Sequence, residues 1–148
     1  MNVNKACESF RALLEEQLQR IANMHAETTD FSTKEKTVIG IVPGDGIGPV
    51  IMDQAVRVLK ALLAEHLNGG KVVLHFIDGL TIENRLEQGV SVPADVMAQI
   101  KACDVLLKGP TTTPMGGTME SANVTLRREL DLYANVRPVV IPEEGIDW

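Results

Sequence analysis

Aromatic residues are nearly absent from this sequence, at 3% of 148 residues, and so is any excess of positive charge. A core must therefore be built from aliphatic side chains, which is more typical of an α/β protein than of a β-sandwich. The formal net charge of −6 argues against a general nucleic-acid partner, since neutralising phosphates requires clustered Lys and Arg. An anionic ligand would have to be met by a local group of cations.

Cysteines and long apolar runs are also scarce. Cys7 and Cys103 are far apart and have no metal-ligand spacing around them, which predicts neither a disulfide framework nor a structural metal. No apolar run approaches the roughly 20 residues that span a bilayer, so no membrane partner is predicted. The N-terminus lacks the hydrophobic segment of a signal peptide, and Glu8, Glu15 and Glu16 argue against a mitochondrial transit peptide. The scarce cysteines fit a reducing cytoplasm or an organelle matrix, and we predict the cytoplasm.

The chain divides into an N-terminal extension and one main domain, as its length suggests. Apolar residues recur at steps of three and four from Ala6 to His25, which predicts an amphipathic helix; they are Phe10, Leu13, Leu14, Leu18, Ile21 and Met24. A polar stretch follows to Lys36 and is typical of a linker. We therefore assign residues 1–36 to a helical extension with its linker and residues 37–148 to the main domain. The helix could pack on its own domain or bridge two subunits, and the stripe favours both equally over a free helix.

Short β-branched runs alternate with helical patterns in the main domain. Strands are predicted at 37–42, 71–77, 104–107 and 132–141, and helices at 49–68, 80–87, 93–100 and 124–130. The first of these helices carries an apolar stripe formed by Ile51, Ala55, Val58, Leu59 and Leu62. This alternation predicts an α/β fold with a largely parallel sheet flanked by helices.

A Gly-rich turn, Gly44-Asp-Gly-Ile-Gly48, joins the first predicted strand to the following helix. Backbone amides and the positive end of a helix can receive an anion or a cofactor edge at such a place. The glycine spacing does not match the GxGxxG dinucleotide fingerprint, and Asp78 is the candidate for a ribose-binding acid after the second strand. Turn chemistry alone favours a simpler interpretation, a tight turn in which the glycines take positive φ and Asp45 bonds its own backbone.

The segment after the third predicted strand concentrates hydroxyls, an amide and guanidinium groups. Such a set suits a compact polycarboxylate, because Arg grips carboxylates bidentately and Ser and Asn at a helix start lie beside its positive end. The alternative is that Ser121 or Asn123 caps the helix while Arg127 and Arg128 are solvated. Spacing alone favours the two interpretations equally.

Three blocks of the chain closely resemble the decarboxylating β-hydroxyacid dehydrogenases, the family of isocitrate and 3-isopropylmalate dehydrogenases. They are Ile-Val-Pro-Gly-Asp-Gly-Ile-Gly-Pro at 41–49, Lys-Gly-Pro-Thr-Thr-Thr-Pro at 108–114 with the Gly pair after it, and Asp-Leu-Tyr-Ala-Asn-Val-Arg-Pro at 131–138. The resemblance covers residues 37–148. It implies the N-terminal part of an isocitrate dehydrogenase with an incomplete isopropylmalate-dehydrogenase-like fold.

The same resemblance implies roles for individual residues. Ser121, Asn123 and Arg127 match the Ser-x-Asn-x-x-x-Arg pattern of isocitrate enzymes, in which the serine and asparagine meet the additional carboxylate. Isopropylmalate enzymes carry an apolar contact there, where a carboxylate would be heavily desolvated. Arg127 and Arg137 match the residues that hold the substrate carboxylates, and Thr112 matches a threonine near the nicotinamide end of the cofactor.

The remaining conspicuous residues of this segment match no ligand position. Arg128 corresponds to a residue that does not bind substrate. Tyr133 does not match the catalytic tyrosine of the family, which comes later in the chain, and we interpret it as a packing residue. The sequence of the block at 131–138 resembles that of the NAD-dependent members and favours NAD over NADP.

The complete enzyme that the resemblance implies would use NAD or NADP and Mg²⁺ or Mn²⁺ to convert isocitrate to 2-oxoglutarate, as a homo- or hetero-oligomer. In the family, the catalytic tyrosine and lysine, the metal-binding aspartates and the adenosine-binding loop come after the region matching Trp148. We therefore expect this chain alone to bind no cofactor tightly and to show no turnover, since each acid–base group contributes about 10²–10⁴ in rate. The alternative is a stand-alone, catalytically inactive subunit that binds isocitrate or a partner.

Overall fold

The computed structural model describes residues 3–22, 29–117 and 119–139. The chain divides into two compact units, residues 1–34 and 35–148. The first unit contains α1 (Val3–Ala22), which buries none of its residues. Its apolar stripe is exposed, with 63% of Phe10 and 65% of Leu18 accessible. The helix begins earlier than the predicted Ala6, and its predicted end at His25 lies outside the described residues.

The second unit alternates strands and helices, as the apolar patterns predict. Its strands are β1 (Thr37–Val42), β2 (Val72–Phe76) and β3 (Val105–Lys108), and its helices are α2 (Gly48–Leu62), α3 (Ala64–Asn68), α4 (Ile82–Gln88), α5 (Ala94–Lys101) and α6 (Ala122–Glu129). The three strands are parallel, in the order β2-β1-β3. The predicted α/β fold with a parallel sheet flanked by helices is thereby confirmed.

The sheet is covered on both faces, because successive residues of a strand point to opposite sides. Ile41 of β1 clusters with Met52 and Val56 of α2 on one face. Its neighbour Val42 joins a larger cluster on the other face, which also contains Ile77, Leu80, Val96, Ile100, Ala122 and Leu126. The uninterrupted apolar run of β1 follows from this central, doubly covered position.

The helix predicted after the Gly-rich turn differs from the structure in two ways. It is interrupted at Leu63, whose φ of −103° and ψ of 17° depart from helical values and separate α2 from α3. Its buried face contains Met52 and Val56, whereas Val58 and Leu62 of the predicted stripe are 60% and 76% exposed. Apolar residues surround much of α2, so periodicity alone does not choose the face that packs on the sheet.

The strand predicted over 132–141 is wrong for residues 132–139, which form no regular structure, while 140 and 141 lie outside the described residues. Asp131 ends α6 with a positive φ of 52°, and the Leu132 N–H donates to the Arg127 carbonyl at 2.9 Å. This helix-terminating bond uses the first amide that the predicted strand would need. Tyr133 is 101% exposed, so its interpretation as a packing residue is also wrong.

Candidate functional site

The loop between β3 and α6 meets the Gly-rich turn at the carboxyl ends of the parallel strands. The Asp45 N–H donates to the Pro110 carbonyl at 2.7 Å and joins the two segments directly. Open α/β sheets bind their ligands outside this edge. Two of the three blocks that the sequence singles out therefore meet where a ligand is expected.

The Gly-rich turn has the predicted conformation at Gly44 and Gly46, whose φ angles are 80° and 58°. The Asp45 carboxylate, however, does not bond its own turn. Its Oδ1 accepts the Ile82 N–H at 2.7 Å and its Oδ2 accepts the Thr112 N–H at 2.8 Å. The tight-turn interpretation is thus confirmed for these two glycines and wrong for the Asp45 side chain, because local turn chemistry does not reveal partners so distant in sequence.

Arg85 of α4 has no exposed surface, and the sequence did not single it out. Its Nε donates to the Ser91 carbonyl at 2.7 Å and its Nη1 to the Thr112 carbonyl at 2.8 Å, while Nη1 lies 3.8 Å from Asp45 Oδ2. Within the described structure, its Nη2 is buried without a hydrogen-bond partner. A short polar helix gives no periodic signal of this burial, so only the folded chain reveals it.

Lys108, the last residue of β3, adds a half-buried cation beside the loop. Its Nζ donates to the carbonyl of the next residue at 2.6 Å and to Thr111 Oγ1 at 3.2 Å. Burial lowers the pKa of the Lys108 ammonium, Asp45 raises it, and Arg85 and Arg127 lower it further. Three cations and one carboxylate thus influence one another here, and this excess of positive charge suits an anionic ligand.

Ser121 occupies the N-cap position of α6, yet its side chain makes no capping hydrogen bond. Ser121 and Asn123 are both half-buried, and neither side chain bonds to any residue that the structure describes. The interpretation of these two residues as helix caps is therefore wrong. Their hydroxyl and amide groups remain available to another partner.

The two neighbouring arginines of α6 have different surroundings. Arg128 Nη1 donates to both carboxylate oxygens of Glu120 at 3.0 Å, and Arg128 Nε lies 3.7 Å from Glu129 Oε1. Arg127 is exposed and forms no ion pair with a described carboxylate. An incoming anion would therefore find Arg127 free of competing carboxylates and Arg128 already engaged.

A chain of hydrogen bonds joins Ser91 and Glu120 to Thr125 of α6. Ser91 Oγ and Thr125 Oγ1 are 2.6 Å apart, and Thr125 Oγ1 donates to Glu120 Oε2 at 2.7 Å. Because a hydroxyl carries one proton, Ser91 must be the donor to Thr125. The Thr125 bond lowers the pKa of Glu120, burial opposes this, and Arg128 lowers it further. Glu120 is thereby tied to the helix immediately before Ser121.

The two remaining predicted ligands are placed differently. Thr112 is exposed in the loop, and its peptide N–H and C=O are both held by side chains. Arg137 is exposed in the irregular segment after α6 and bonds to no described residue. The structure therefore groups Ser121, Asn123 and Arg127 at the start and along one helix, whereas Arg137 lies in the irregular segment that follows it.

In the described part of the chain, no three His, Cys, Asp or Glu side chains are placed to hold a metal ion. These residues therefore do not fit a divalent metal centre. No helix within the described ranges is long and apolar enough to cross a membrane.

An open depression of about 430 Å³ lies at the opposite, amino-terminal end of the sheet, lined by Glu35, Lys36, Gly69, Gly70 and Lys71.

Comparison with known proteins gives a consistent family. The chain matches the isocitrate/isopropylmalate dehydrogenase family model over residues 38–146. It is 38% identical over 122 residues to the isocitrate dehydrogenase [NADP] of Caldococcus noboribetus, a match covering 77% of this chain and 28% of that protein. It is 44% identical over 105 residues to the isocitrate dehydrogenase [NADP] of Archaeoglobus fulgidus, covering 71% of this chain and 25% of that protein. The chain thus spans about a quarter of the length of the curated relatives it matches.

A solved structure agrees with these matches. The chain resembles a beta-decarboxylating dehydrogenase from Thermococcus kodakarensis in its apo form, with 37% identity and a TM-score of 0.56. That match covers 66% of this chain and 27% of the other. Because the family match spans most of the sequence and the parallel fold agrees with it, this chain belongs to the isocitrate/isopropylmalate dehydrogenase family.

Proposed function

We propose that this chain is the N-terminal part of an NAD(P)-dependent isocitrate dehydrogenase and supplies part of its substrate site. The observation that carries the proposal is the start of α6, where the Ser121 hydroxyl and Asn123 amide are unused within the described structure and Arg127 faces no described carboxylate. A tricarboxylate would supply the acceptors that these donors lack. The isocitrate dehydrogenase relatives support isocitrate as the substrate.

In this proposal each residue has a defined task. Ser121 and Asn123 bind the carboxylate that distinguishes isocitrate from isopropylmalate, since hydrogen-bond donors compensate the desolvation of a charged group. Arg127 binds a carboxylate bidentately, and Lys108 contributes positive charge at the edge of the loop. Arg137 contributes a second guanidinium when the segment after α6 approaches the helix start.

The complete enzyme would transfer a hydride from the hydroxyl-bearing carbon of isocitrate to a nicotinamide nucleotide and then release carbon dioxide. Thr112 is the described residue that would meet the nicotinamide end, because its hydroxyl is exposed and bonds to no described residue. The two relatives of this chain from Caldococcus noboribetus and Archaeoglobus fulgidus are named as NADP enzymes, whereas the sequence of residues 131–138 favours NAD. The proposal therefore covers either nucleotide. We also assign Mg²⁺ or Mn²⁺, an oligomeric state and a cytoplasmic location to the complete enzyme.

An alternative function is a catalytically inactive subunit that binds isocitrate or a partner. A site with unused carboxylate-binding groups in the described residues fits this role too. The intact mass of the native product from its source cells separates the two. A mass well above the 16.1 kDa of this chain supports the first function, and an equal mass supports the second.

The ligand proposal is tested by titrating isocitrate into the 148-residue chain and measuring heat and thermal midpoint. We expect saturable binding that Arg127→Ala weakens roughly 10- to 100-fold, because a charge-assisted hydrogen bond contributes about 1.5–3 kcal/mol. Arg128→Ala is the matched control. It removes the same charge at the neighbouring position, from a side chain that already pairs with Glu120. Absence of binding to the wild-type chain, or equal losses in both variants, would contradict the proposal.

A further inference from the structure

Two oppositely charged side chains are buried together beneath the loop that follows β3. Arg85 has no exposed surface and Asp45 is 8% exposed, and their Nη1 and Oδ2 atoms lie 3.8 Å apart. Burying two charges is costly, and their attraction offsets that cost only when hydrogen bonds satisfy both groups. Arg85 Nη2 is buried without a partner in the described structure, which leaves part of the desolvation cost unrecovered. The hydrogen bonds that the two side chains make to other groups therefore explain the pair better than the stability of the ion pair itself.

Those other atoms converge on the backbone of Thr112. Asp45 Oδ2 accepts the Thr112 N–H at 2.8 Å, and Arg85 Nη1 donates to the Thr112 carbonyl at 2.8 Å. Both peptide groups of one exposed loop residue are thus fixed by buried side chains from two other elements. A residue held on both sides in this way presents its side chain in a single direction.

The path of the loop is restricted further by close backbone contact. A Cβ added at Gly44 would lie 2.1 Å from the Pro110 carbonyl oxygen, and one added at Gly109 would lie 2.0 Å from the Pro43 carbonyl oxygen. The turn after β1 and the loop after β3 therefore touch through bare backbone. This contact at Gly109 and Pro110 lies just before Thr112, the residue that the Asp45–Arg85 pair holds.

We propose that Asp45 and Arg85 are positioning residues that hold Thr112, and with it the Lys108 end of the loop, in the conformation that receives ligand. Neither side chain needs to touch the ligand. Lys108 belongs to the same unit because its Nζ bonds to Thr111 Oγ1 at 3.2 Å. This inference rests on the proposed function, which makes the loop part of the isocitrate and nucleotide site.

The sharpest test is Asp45→Asn in the 148-residue chain. The change keeps the volume but turns one acceptor oxygen into a donor, so the side chain no longer accepts both the Ile82 and Thr112 amides. We expect amide hydrogen exchange at Thr112 to become at least roughly tenfold faster while Ile41 and Val42 in the core keep their protection. Asp53→Asn is the matched control, since the Asp53 carboxylate is exposed on α2 and accepts a hydrogen bond from the adjacent Gln54.

A second variant addresses the other side of the pair. Arg85→Lys keeps the charge but offers no fork to reach the Ser91 and Thr112 carbonyls together. We expect the same selective loss of amide-exchange protection at Thr112, together with a roughly tenfold weaker affinity for isocitrate. Arg57→Lys on the exposed face of α2 is the control. The affinity loss is the readout that a merely structural role would not produce.

Each remaining outcome decides against the inference or against the function beneath it. Unchanged exchange at Thr112, or faster exchange spread evenly over the core, would show that the pair does not position the loop. Selective exchange with unchanged isocitrate affinity would show that the loop conformation does not matter to the ligand. If the wild-type chain binds no isocitrate, the proposed function fails, and exchange at Thr112 alone then decides whether the pair holds the loop.

Discussion

Ser121 stands at a cap position without acting as a cap, and this separates a stability role from a binding role. The N-cap of α4 offers the contrast, because the Thr81 side chain accepts the Asn84 N–H at 3.3 Å. We expect Ser121→Ala to change the free energy of unfolding by less than about 0.5 kcal/mol and Thr81→Ala to lower it by about 1 kcal/mol. Chemical denaturation of both variants measures the difference.

The ligand affinities of the same two variants should show the opposite order. Ser121→Ala removes a hydrogen bond to the isocitrate carboxylate and should weaken binding roughly tenfold or more, since a hydrogen bond to a charged group contributes about 1.5–3 kcal/mol. Thr81→Ala should bind isocitrate as the wild type does. A large stability loss in Ser121→Ala with unchanged affinity would restore the capping interpretation.

Lys108 should make both ligand binding and stability depend on alkaline pH. Its pKa lies below the ordinary 10.5, mainly because of burial, so the folded chain releases this proton more readily than the unfolded chain. Between the lowered pKa and 10.5 the unfolded chain holds more protons, and stability therefore rises with pH through this window. The isocitrate affinity should fall over the same window as the positive charge is lost.

Calorimetric titrations of the wild type and Lys108→Met across this pH range check the assignment. The variant should bind isocitrate more weakly and lose the pH dependence that Lys108 contributes. A wild-type affinity that does not change until the pH passes 10.5 would show that Lys108 is not the responsible group.

At the scale of elements, the network of Ser91, Thr125 and Glu120 should make α6 sensitive to acid. The pKa of Glu120 lies below 4.5, chiefly through the Thr125 bond, so the carboxylate favours the folded chain. This contribution is present above 4.5 and is lost as the pH falls through the lowered value. Acid unfolding of Glu120→Gln should show a weaker pH dependence than the wild type.

Thr125→Val tests the same network from its buried end. Thr125 is 7% exposed, and the valine would leave the Ser91 hydroxyl without its acceptor and Glu120 without its closest donor. We expect a loss of about 0.5–1.5 kcal/mol in the free energy of unfolding, the usual net contribution of one hydrogen bond. Urea unfolding of this variant beside Thr125→Ser, which keeps the hydroxyl, separates the hydrogen bond from the packing.

The elements that the sequence predicted are those whose residues interact with near neighbours in the chain or along one sheet. The strand at 37–42 was predicted with its observed bounds because β-branched residues on both faces give an unambiguous signal. The face of α2 and the end of α6 were not predicted, since each depends on a partner or a bond that periodicity does not encode. The same limit applies to the site: the polar residues of α6 were visible in the sequence, whereas buried Arg85 and the partners of Asp45 appear only after folding.

At the scale of the whole molecule, the proposed boundary between the N-terminal extension and the main domain has a direct energetic consequence. Every residue of the two core clusters lies between Ile39 and Leu130, and α1 buries none of its residues. The described residues of this extension, 3–22 and 29–34, thus belong to neither cluster. The stability of the main domain should not depend on them.

Deletion of residues 1–34 tests this boundary together with the role of α1. We expect the free energy of unfolding to stay within about 0.5 kcal/mol of the full chain, which corresponds to a change of at most a few degrees in thermal midpoint. Sedimentation measured in parallel distinguishes the two arrangements of the helix, because an exposed apolar stripe that bridges subunits would give association that the deletion abolishes. A large loss of stability in a monomeric sample would instead mean that α1 packs on its own domain, and the boundary at residue 36 would have to be abandoned.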